Sequence, residues 1–337
     1  MTIVIKIAFI SIKNCKLVNF LLKYTYMKTP LNYTGNKSRL MAQFSNYFPK
    51  NIDTFVDLFC GGATVGLSVN AKKVIFIDNN QNVINLLKHL SKYNFDILLS
   101  RLEKNIEKYN LSYSAKFGYK GYRKGIEKAD NNGLKNYNEE GFYKLRSDYN
   151  SLKNKFSKKA LDLLYLLVVY AFNNDMRFNK RGEFNLPVGK TDLNNNNIKK
   201  LQDYITRVKK IDCIFVCGDF REKRIQNILM KADFIYADPP YLVGDAVYNE
   251  SGNWTEETEK ELINLFENLN KKNKKFALSN VLHKIGKNNK PLSDWIFKRT
   301  DLHIFNIDYH YRSASYNKIN RNAQEKEVLI TNYIWNS

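Results

Sequence analysis

Asp238-Pro239-Pro240-Tyr241 is the most informative tetrapeptide of the chain, and it follows an apolar run, Phe234 to Ala237, that reads as a buried strand. Consecutive prolines keep their carbonyls, lack an N–H and hold φ fixed, so the backbone after Asp238 is a rigid row of acceptors. The amino group of an adenine needs such a row. Its nitrogen lone pair is delocalised into the ring, and two acceptors, the Asp238 carboxylate and the Pro239 carbonyl, would take its hydrogens and localise the pair towards an electrophile. Tyr241 would then stack on the base, a contact worth about 1–3 kcal/mol in base-binding sites. A plain proline turn after a strand is the bland alternative.

A second constellation lies upstream. Asp57-Leu58-Phe59-Cys60-Gly61-Gly62 closes the short apolar run Thr54 to Phe59, and adjacent glycines at the carboxyl end of a strand let a ligand approach the backbone closely. The motif is not Gly-x-Gly-x-x-Gly, and nothing resembles a phosphate-cradling turn. A cofactor without a pyrophosphate is therefore favoured over a dinucleotide. Asp78 ends the next apolar run, Val74 to Ile77, the position from which a carboxylate takes two ribose hydroxyls. An ordinary tight turn explains the glycines alone; strand, glycines and late Asp together favour the cofactor.

The elements needed to position these residues are legible. A helical stretch between the first two runs makes a βαβ unit, the opening of a doubly wound sheet. Strand-like runs resume at Cys213 to Cys217, Phe234 to Ala237 and Lys275 to Leu278, and Thr258-x-x-Glu261 reads as the cap of a helix with Leu262, Leu265, Phe266 and Leu269 on one face. Between about His89 and Arg207 the texture turns polar, basic and aromatic, apart from Ala160 to Phe172, which reads as a buried helix too short to span a membrane. The pattern is one α/β domain interrupted by a partner-reading insert.

Charge agrees with such a partner. The 337 residues carry 54 Lys and Arg against 33 Asp and Glu, a net +21, with 22 Tyr and 21 Phe, which points to a polyanion, most simply nucleic acid. A compositional bias towards Lys and Asn, visible in the run Asn194 to Asn197, is the alternative. Four cysteines without Cys-x-x-Cys and four scattered histidines offer neither a disulfide framework nor a metal spacing, so no metal and a reducing cytoplasm are expected. Near the N-terminus, Ile7 to Ile12 lies between Lys6 and Lys13 and is too short to insert, so a soluble protein is expected. Residues 1–26 read as an extension preceding a start at Met27, with an integral segment as the alternative.

Taken together these motifs resemble the Dam-type N6-adenine DNA methyltransferases, which use S-adenosyl-L-methionine, from about Pro30 to Tyr333. Pro30 to Lys37 is similar to the family's N-terminal cofactor motif, implying that Tyr33 and Lys37 close over the cofactor's methionine part. Asp57, Phe59, Gly61 and Gly62 match its glycine motif, Asp78 its ribose acid, Asp219 and Phe220 its cofactor-adenine contact, and Asp238, Pro239, Pro240 and Tyr241 its catalytic motif. The segment Phe172 to Gly189 resembles the family's DNA-recognition hairpin, with Asn173, Asp175, Arg177, Asn179, Lys180, Arg181 and Pro187 as implied DNA contacts together with Asn32. Two positions depart from relatives that methylate GATC: Asn32 replaces a Lys, and Asp175 an apolar residue.

Without the family, Arg177 to Asn185 is still an alternating run broken at Asn179-Lys180-Arg181-Gly182, a hairpin with two cations at its tip. A two-stranded ribbon fits a major groove, and Arg can take guanine O6 and N7 together. A solvated surface hairpin is the alternative.

The resemblance implies a Rossmann-like methyltransferase sheet in residues 27–90 and 208–337, with a mainly helical target-recognition insertion at 91–207 carrying a β-hairpin. It implies methyl transfer to N6 of an adenine rotated out of double-stranded DNA, within a short target for which GATC and then CATG are the first expectations. A monomer on DNA is expected, with a cognate restriction endonuclease as a candidate partner. An RNA or protein-amide methylase and an inactive nucleic-acid binder are the rivals; the amide enzymes carry Asn where this chain has Asp238.

Overall fold

The computed structural model describes residues 27–33, 35–122, 132–243, 254–284, 286–307 and 326–334. The expectation for residues 1–26 lies outside them. The sheet is built from β1 (Ile52–Leu58), β2 (Ala71–Asp78), β3 (Asp212–Cys217), β4 (Phe234–Ala237), β5 (Lys275–Lys284), the two-residue β6 (Lys287–Asn288), β7 (His303–Asn306) and β8 (Lys326–Thr331). Its order is β3-β2-β1-β4-β5-β8-β7, with β6 pairing to β5. β1 to β5 run parallel, and β8 lies antiparallel between β5 and β7.

The central strands are apolar because both of their faces are covered. Val56, Phe55 and Leu58 of β1 and all four residues of β4 are buried. Register brings the chemistry to one edge. Leu58 pairs with Ile77 and with Ala237, and Asp78 with Cys217, so the residues following β1, β2, β3 and β4 emerge side by side at the carboxyl ends. Strand order reverses between β1 and β4, and a crevice opens outside such a reversal.

Helices α1 (Thr64–Ser68), α2 (Gln81–Ser91), α3 (Phe95–Lys108), α4 (Lys135–Ser151), α5 (Lys158–Tyr170) and α6 (Asn195–Val208) fall between β1 and β3 in the chain. Beyond β3 come α7 (Lys223–Leu229), α8 (Glu256–Lys271) and α9 (Lys290–Phe297). Side-chain caps start most of them: Asn80, Asn94, Ser157, Asn194, Thr255 and Asn289 each accept a backbone N–H of the first turn. The cap of α8 is thus Thr255, one turn earlier than the Thr258-x-x-Glu261 reading; the Thr255 hydroxyl accepts from the Thr258 amide at 3.2 Å.

Two cores flank the sheet. One contains α7, α8 and α9; the other runs without a break from Phe55, Val74 and Phe76 through α2 into Leu98, Leu102, Phe142 and Leu145. Within that second core every residue of α5 from Ala160 to Tyr170 is buried. Asp162 is tolerated there because it pairs with Arg101 and lies 2.8 Å from His89 Nε2. α6 docks back on the sheet layer, where Tyr204 donates to the Leu87 carbonyl and Arg207 to those of Leu67 and Val69.

The expected ribbon at 177–185 is not a regular ladder. Two isolated antiparallel bridges, Ala171 with Val188 and Phe178 with Phe184, hold the segment. Backbone bonds cross it from the Asn179 amide to the Glu183 carbonyl at 2.9 Å and from the Asn185 amide to the Arg177 carbonyl at 3.1 Å, and at its tip the Asn179 carboxamide oxygen accepts from the Arg181 and Glu183 amides.

Candidate active site

A cleft of about 470 Å³ opens at the carboxyl edge. Its walls include Tyr33, Lys37, Asp57, Phe59, Gly61, Gly62, Asp78, Asp219, Phe220 and the whole of Asp238 to Tyr241. Every residue expected to bind cofactor or to act in catalysis therefore lines one cavity, although they come from five separate stretches of chain.

The turn after β1 is wound tightly. Phe59, Gly61 and Ala63 all have positive φ, at 63°, 45° and 65°. A Cβ on Gly61 would lie 2.6 Å from Tyr33 Cδ1, so only glycine lets Tyr33 cover the turn. Asp78 holds the same turn: its Oδ2 accepts the Gly61 amide at 2.8 Å and its Oδ1 the Asn80 amide at 2.8 Å. Asp57 Oδ2 accepts the Gly66 amide, which fixes the start of α1.

Acids crowd the floor. Burial pushes the Asp57 carboxyl up to about 8, with Asp238 and Asp78 adding to the rise against the Gly66 hydrogen bond. Asp78 and Glu327 are also raised, in each case chiefly by burial. Lys37 stands among them, 2.9 Å from Asp238 Oδ2 and 3.6 Å from Glu327 Oε1, with its side chain only 3% exposed. Asp238 and Glu327 thus flank one buried ammonium, while Asp57 and Asp78 stand at the ends of the neighbouring strands β1 and β2.

The far end of the cleft is aromatic. Phe59, Phe220 and Trp254 have ring centroids 5.7 to 5.9 Å apart. The Trp254 indole donates to Glu259 Oε2 at 2.7 Å, while Asn280 and Asn289 donate to Oε1 of the same buried carboxylate, whose pKa burial raises. Asp219 is tied by Arg221 in a two-point pair at 2.7 and 2.9 Å, which holds its carboxyl below the usual range.

Around Asp238 the geometry is specific. Tyr241 Oη lies 2.8 Å from Asp238 Oδ1, 3.1 Å from Glu327 Oε1 and 3.3 Å from Ser279 Oγ. The Tyr241 ring is thereby tethered through its hydroxyl. Glu327, Ser279 and Trp254 belong to the site, and the motif reading did not single them out.

The expected DNA contacts lie outside the cleft walls. Asn173, Asp175, Arg177, Asn179, Lys180, Arg181 and Pro187 sit along the bridged segment; Arg177, Lys180, Arg181 and Pro187 are exposed, and burial raises the Asp175 carboxyl. Arg177 Nε donates to Asn185 Oδ1 at 3.0 Å, and Asn179 Nδ2 to Glu183 Oε2 at 2.8 Å. Asn32 joins this region to the N-terminal segment, accepting from Lys200 at 2.9 Å and donating to Asn174 at 3.4 Å. Among the described residues no group of three His, Cys, Asp or Glu side chains could hold a metal ion, and no helix is long and apolar enough to cross a membrane.

An open, mostly parallel sheet with an acidic, aromatic-ended cleft at its switch point defines a nucleotide-type cofactor enzyme. Residues 33–312 match the family of D12 class N6 adenine-specific DNA methyltransferases, and the chain belongs to that family, whose members use S-adenosylmethionine. It is 36% identical to the modification methylase StsI of Streptococcus sanguinis over 91% of this chain and 43% of that one. It is likewise 36% identical to the type II methyltransferase M.FokI of Planomicrobium okeanokoites over 92% of this chain and 43% of that one. A DNA adenine methylase of Haemophilus influenzae is 27% identical over 63% of each chain. The chain thus spans less than half the length of the first two relatives. Among solved structures, the rRNA methyltransferase aviRa of Streptomyces viridochromogenes aligns over 82% of this chain and 91% of its own at 11% identity and a TM-score of 0.32.

Proposed function

We propose that the chain transfers a methyl group from S-adenosylmethionine to N6 of an adenine rotated out of a short double-stranded DNA motif. The observation that carries this reading is the convergence of Asp238 to Tyr241 with the glycine turn, Asp78 and Phe220 in one cleft: a carboxylate acceptor for an amine stands beside a cavity lined for a nucleoside. The fit extends to the other walls of the cavity, since Phe59, Phe220 and Trp254 offer flat surfaces for a purine, Asp78 offers acceptor lone pairs for ribose hydroxyls, and Tyr33 and Lys37 line the same space.

S-adenosylmethionine, when bound, supplies an electrophilic methyl group, so no nucleophilic residue of the protein is required. Asp238 accepts the N6 hydrogens and holds the lone pair on line, with the rigid Pro239-Pro240 backbone as second acceptor. Tyr241 offers its ring face to the base and keeps water from the amine. The cost of unstacking the target base is set against these contacts.

Target choice falls, on this reading, to the region 91–207, with Asn32, Asn173, Asp175, Arg177, Asn179, Lys180, Arg181 and Pro187 facing DNA. Arg177 is the candidate base reader and the tip cations are candidate phosphate contacts. GATC and similar adenine-containing sequences are the first to test. The names of the StsI and M.FokI relatives support a modification role beside a cognate restriction endonuclease. Transfer of labelled methyl groups from S-adenosylmethionine to double-stranded DNA, RNA and protein in parallel tests the assignment: N6-methyladenine in DNA alone is expected, and labelled RNA or protein with unlabelled DNA would overturn it.

A further inference from the structure

Asp238 is engaged at both of its oxygens. Tyr241 lies 2.8 Å from Oδ1 and Lys37 2.9 Å from Oδ2, so an incoming amino group has to displace one or both of them. Whatever receives them must lie within hydrogen-bond reach. Glu327 meets this for the hydroxyl, with Oε1 3.1 Å from Tyr241 Oη, and stands at ion-pair distance, 3.6 Å, from the Lys37 ammonium, a shift of a few tenths of an ångström from a hydrogen bond.

The hydroxyl carries one proton and faces two carboxylates, so it can donate to only one at a time. Lys37 has three protons, one of which goes to the Gly35 carbonyl at 3.1 Å, and it too can lean towards either acid. Glu327 sits on β8 in register with Val281 of β5, beside Ser279, whose hydroxyl lies 3.3 Å from the same Oε1. Val328, Leu329 and Ile330, the next residues of the strand, are fully buried apolar side chains. A carboxylate 4% exposed at the head of such a run is costly unless its partners need it.

We propose that Glu327 is a positioning residue that takes over the Tyr241 hydroxyl and the Lys37 ammonium as the target amine reaches Asp238. In the resting site the hydroxyl and the ammonium shield Asp238. When the amine arrives, both turn to Glu327, the Asp238 oxygens become free to accept, and no charge enters or leaves the cavity. This rests on the reading of Asp238 as the amine acceptor.

The test is single-turnover methyl transfer from saturating S-adenosylmethionine to genomic DNA from a methylation-free host. Four proteins are compared: the wild type, Glu327→Gln, Tyr241→Phe and the double variant, with cofactor affinity measured by calorimetry. Glu327→Gln keeps the shape and loses the charge that attracts both donors. Its rate should fall by about tenfold or more, the scale on which misplacement of a reacting group is felt, with cofactor affinity changed less than about twofold. In the Tyr241→Phe background, where Lys37 alone still turns to Glu327, the same substitution should cost less than in the wild type. A wild-type rate in Glu327→Gln, an equal fold-loss in both backgrounds, or a loss of cofactor affinity matching the loss of rate would each overturn the proposal. If Glu327→Gln does not fold, Glu327→Asp, which keeps the charge and draws the oxygen back, should show an intermediate rate with normal cofactor affinity, and an undiminished rate would overturn the proposal as well. An active Asp238→Ala variant, by contrast, would sink the reading of Asp238 itself.

Discussion

Gly61 donates its amide to Asp78 Oδ2 at 2.8 Å, which joins the turn after β1 to the end of β2. The acid expected to hold ribose hydroxyls therefore also holds the glycine turn beneath the cofactor. Asp78→Ala should weaken S-adenosylmethionine binding by the worth of hydrogen bonds to a charged group, about 1.5–3 kcal/mol or roughly 10- to 150-fold. Asp78→Asn, which can still accept from Gly61, should lose less. Calorimetry that finds wild-type affinity in Asp78→Ala would remove the residue from the cofactor site.

Gly61→Ala should be harmful for two reasons that add. Its φ of 45° is costly for a residue with a Cβ, by about 1–2 kcal/mol, and the new methyl would push on Tyr33. Reduced cofactor affinity together with a lower melting temperature is expected, and an unchanged value of both would show that the turn is not set as described.

Asp57 predicts a pH dependence. Its carboxyl stands at about 8 when folded against 3.8 as the ordinary value. Between those values the folded chain keeps a proton that the unfolded chain has released, so this group makes stability fall as pH rises from about 4 to about 8. Asp57→Asn removes the titration and keeps an oxygen for the Gly66 amide. The melting temperature of the variant minus that of the wild type should therefore climb with pH across that window. A difference that stays constant would place the Asp57 titration near its ordinary value.

The parts of the site written into strands were legible. Asp78 and Asp238 each close an apolar run and Asp57 stands near the end of another, and parallel register then brings strand ends together without further information. Glu327 was not, because its place beside Lys37 and Tyr241 depends on β8 pairing antiparallel between β5 and β7, a long-range choice no local pattern encodes. Trp254 was hidden for a similar reason: Glu259, Asn280 and Asn289 from three elements converge to hold it. The cap of α8 was misplaced because Thr255 and Thr258 stand one turn apart and either could begin the helix. At 177–185 alternation suggested a ladder; two cross-strand backbone bonds form, from Asn179 to Glu183 and from Asn185 to Arg177, while the Glu183 amide goes to the Asn179 side chain and cuts the ladder short.

DNA affinity should fall steeply with added salt, since each phosphate contact releases a counterion. Arg177→Ala should relax the choice of sequence, with about 1–3 kcal/mol of discrimination lost at one base pair, whereas Lys180→Ala should weaken binding evenly across sequences. Genome-wide mapping of N6-methyladenine in a methylation-free host separates the two effects. An Arg177→Ala profile as stringent as the wild type would leave the segment as scaffold.

The most direct measurement compares methyl transfer and cofactor binding in Asp238→Ala. The carboxylate acts on the target amine and not on the cofactor, so turnover on DNA should drop by about a hundredfold or more while S-adenosylmethionine affinity stays close to that of the wild type. Turnover above about one per cent of the wild-type rate, with the cofactor bound normally, would contradict the assignment of Asp238 as the acceptor at which the chemistry occurs.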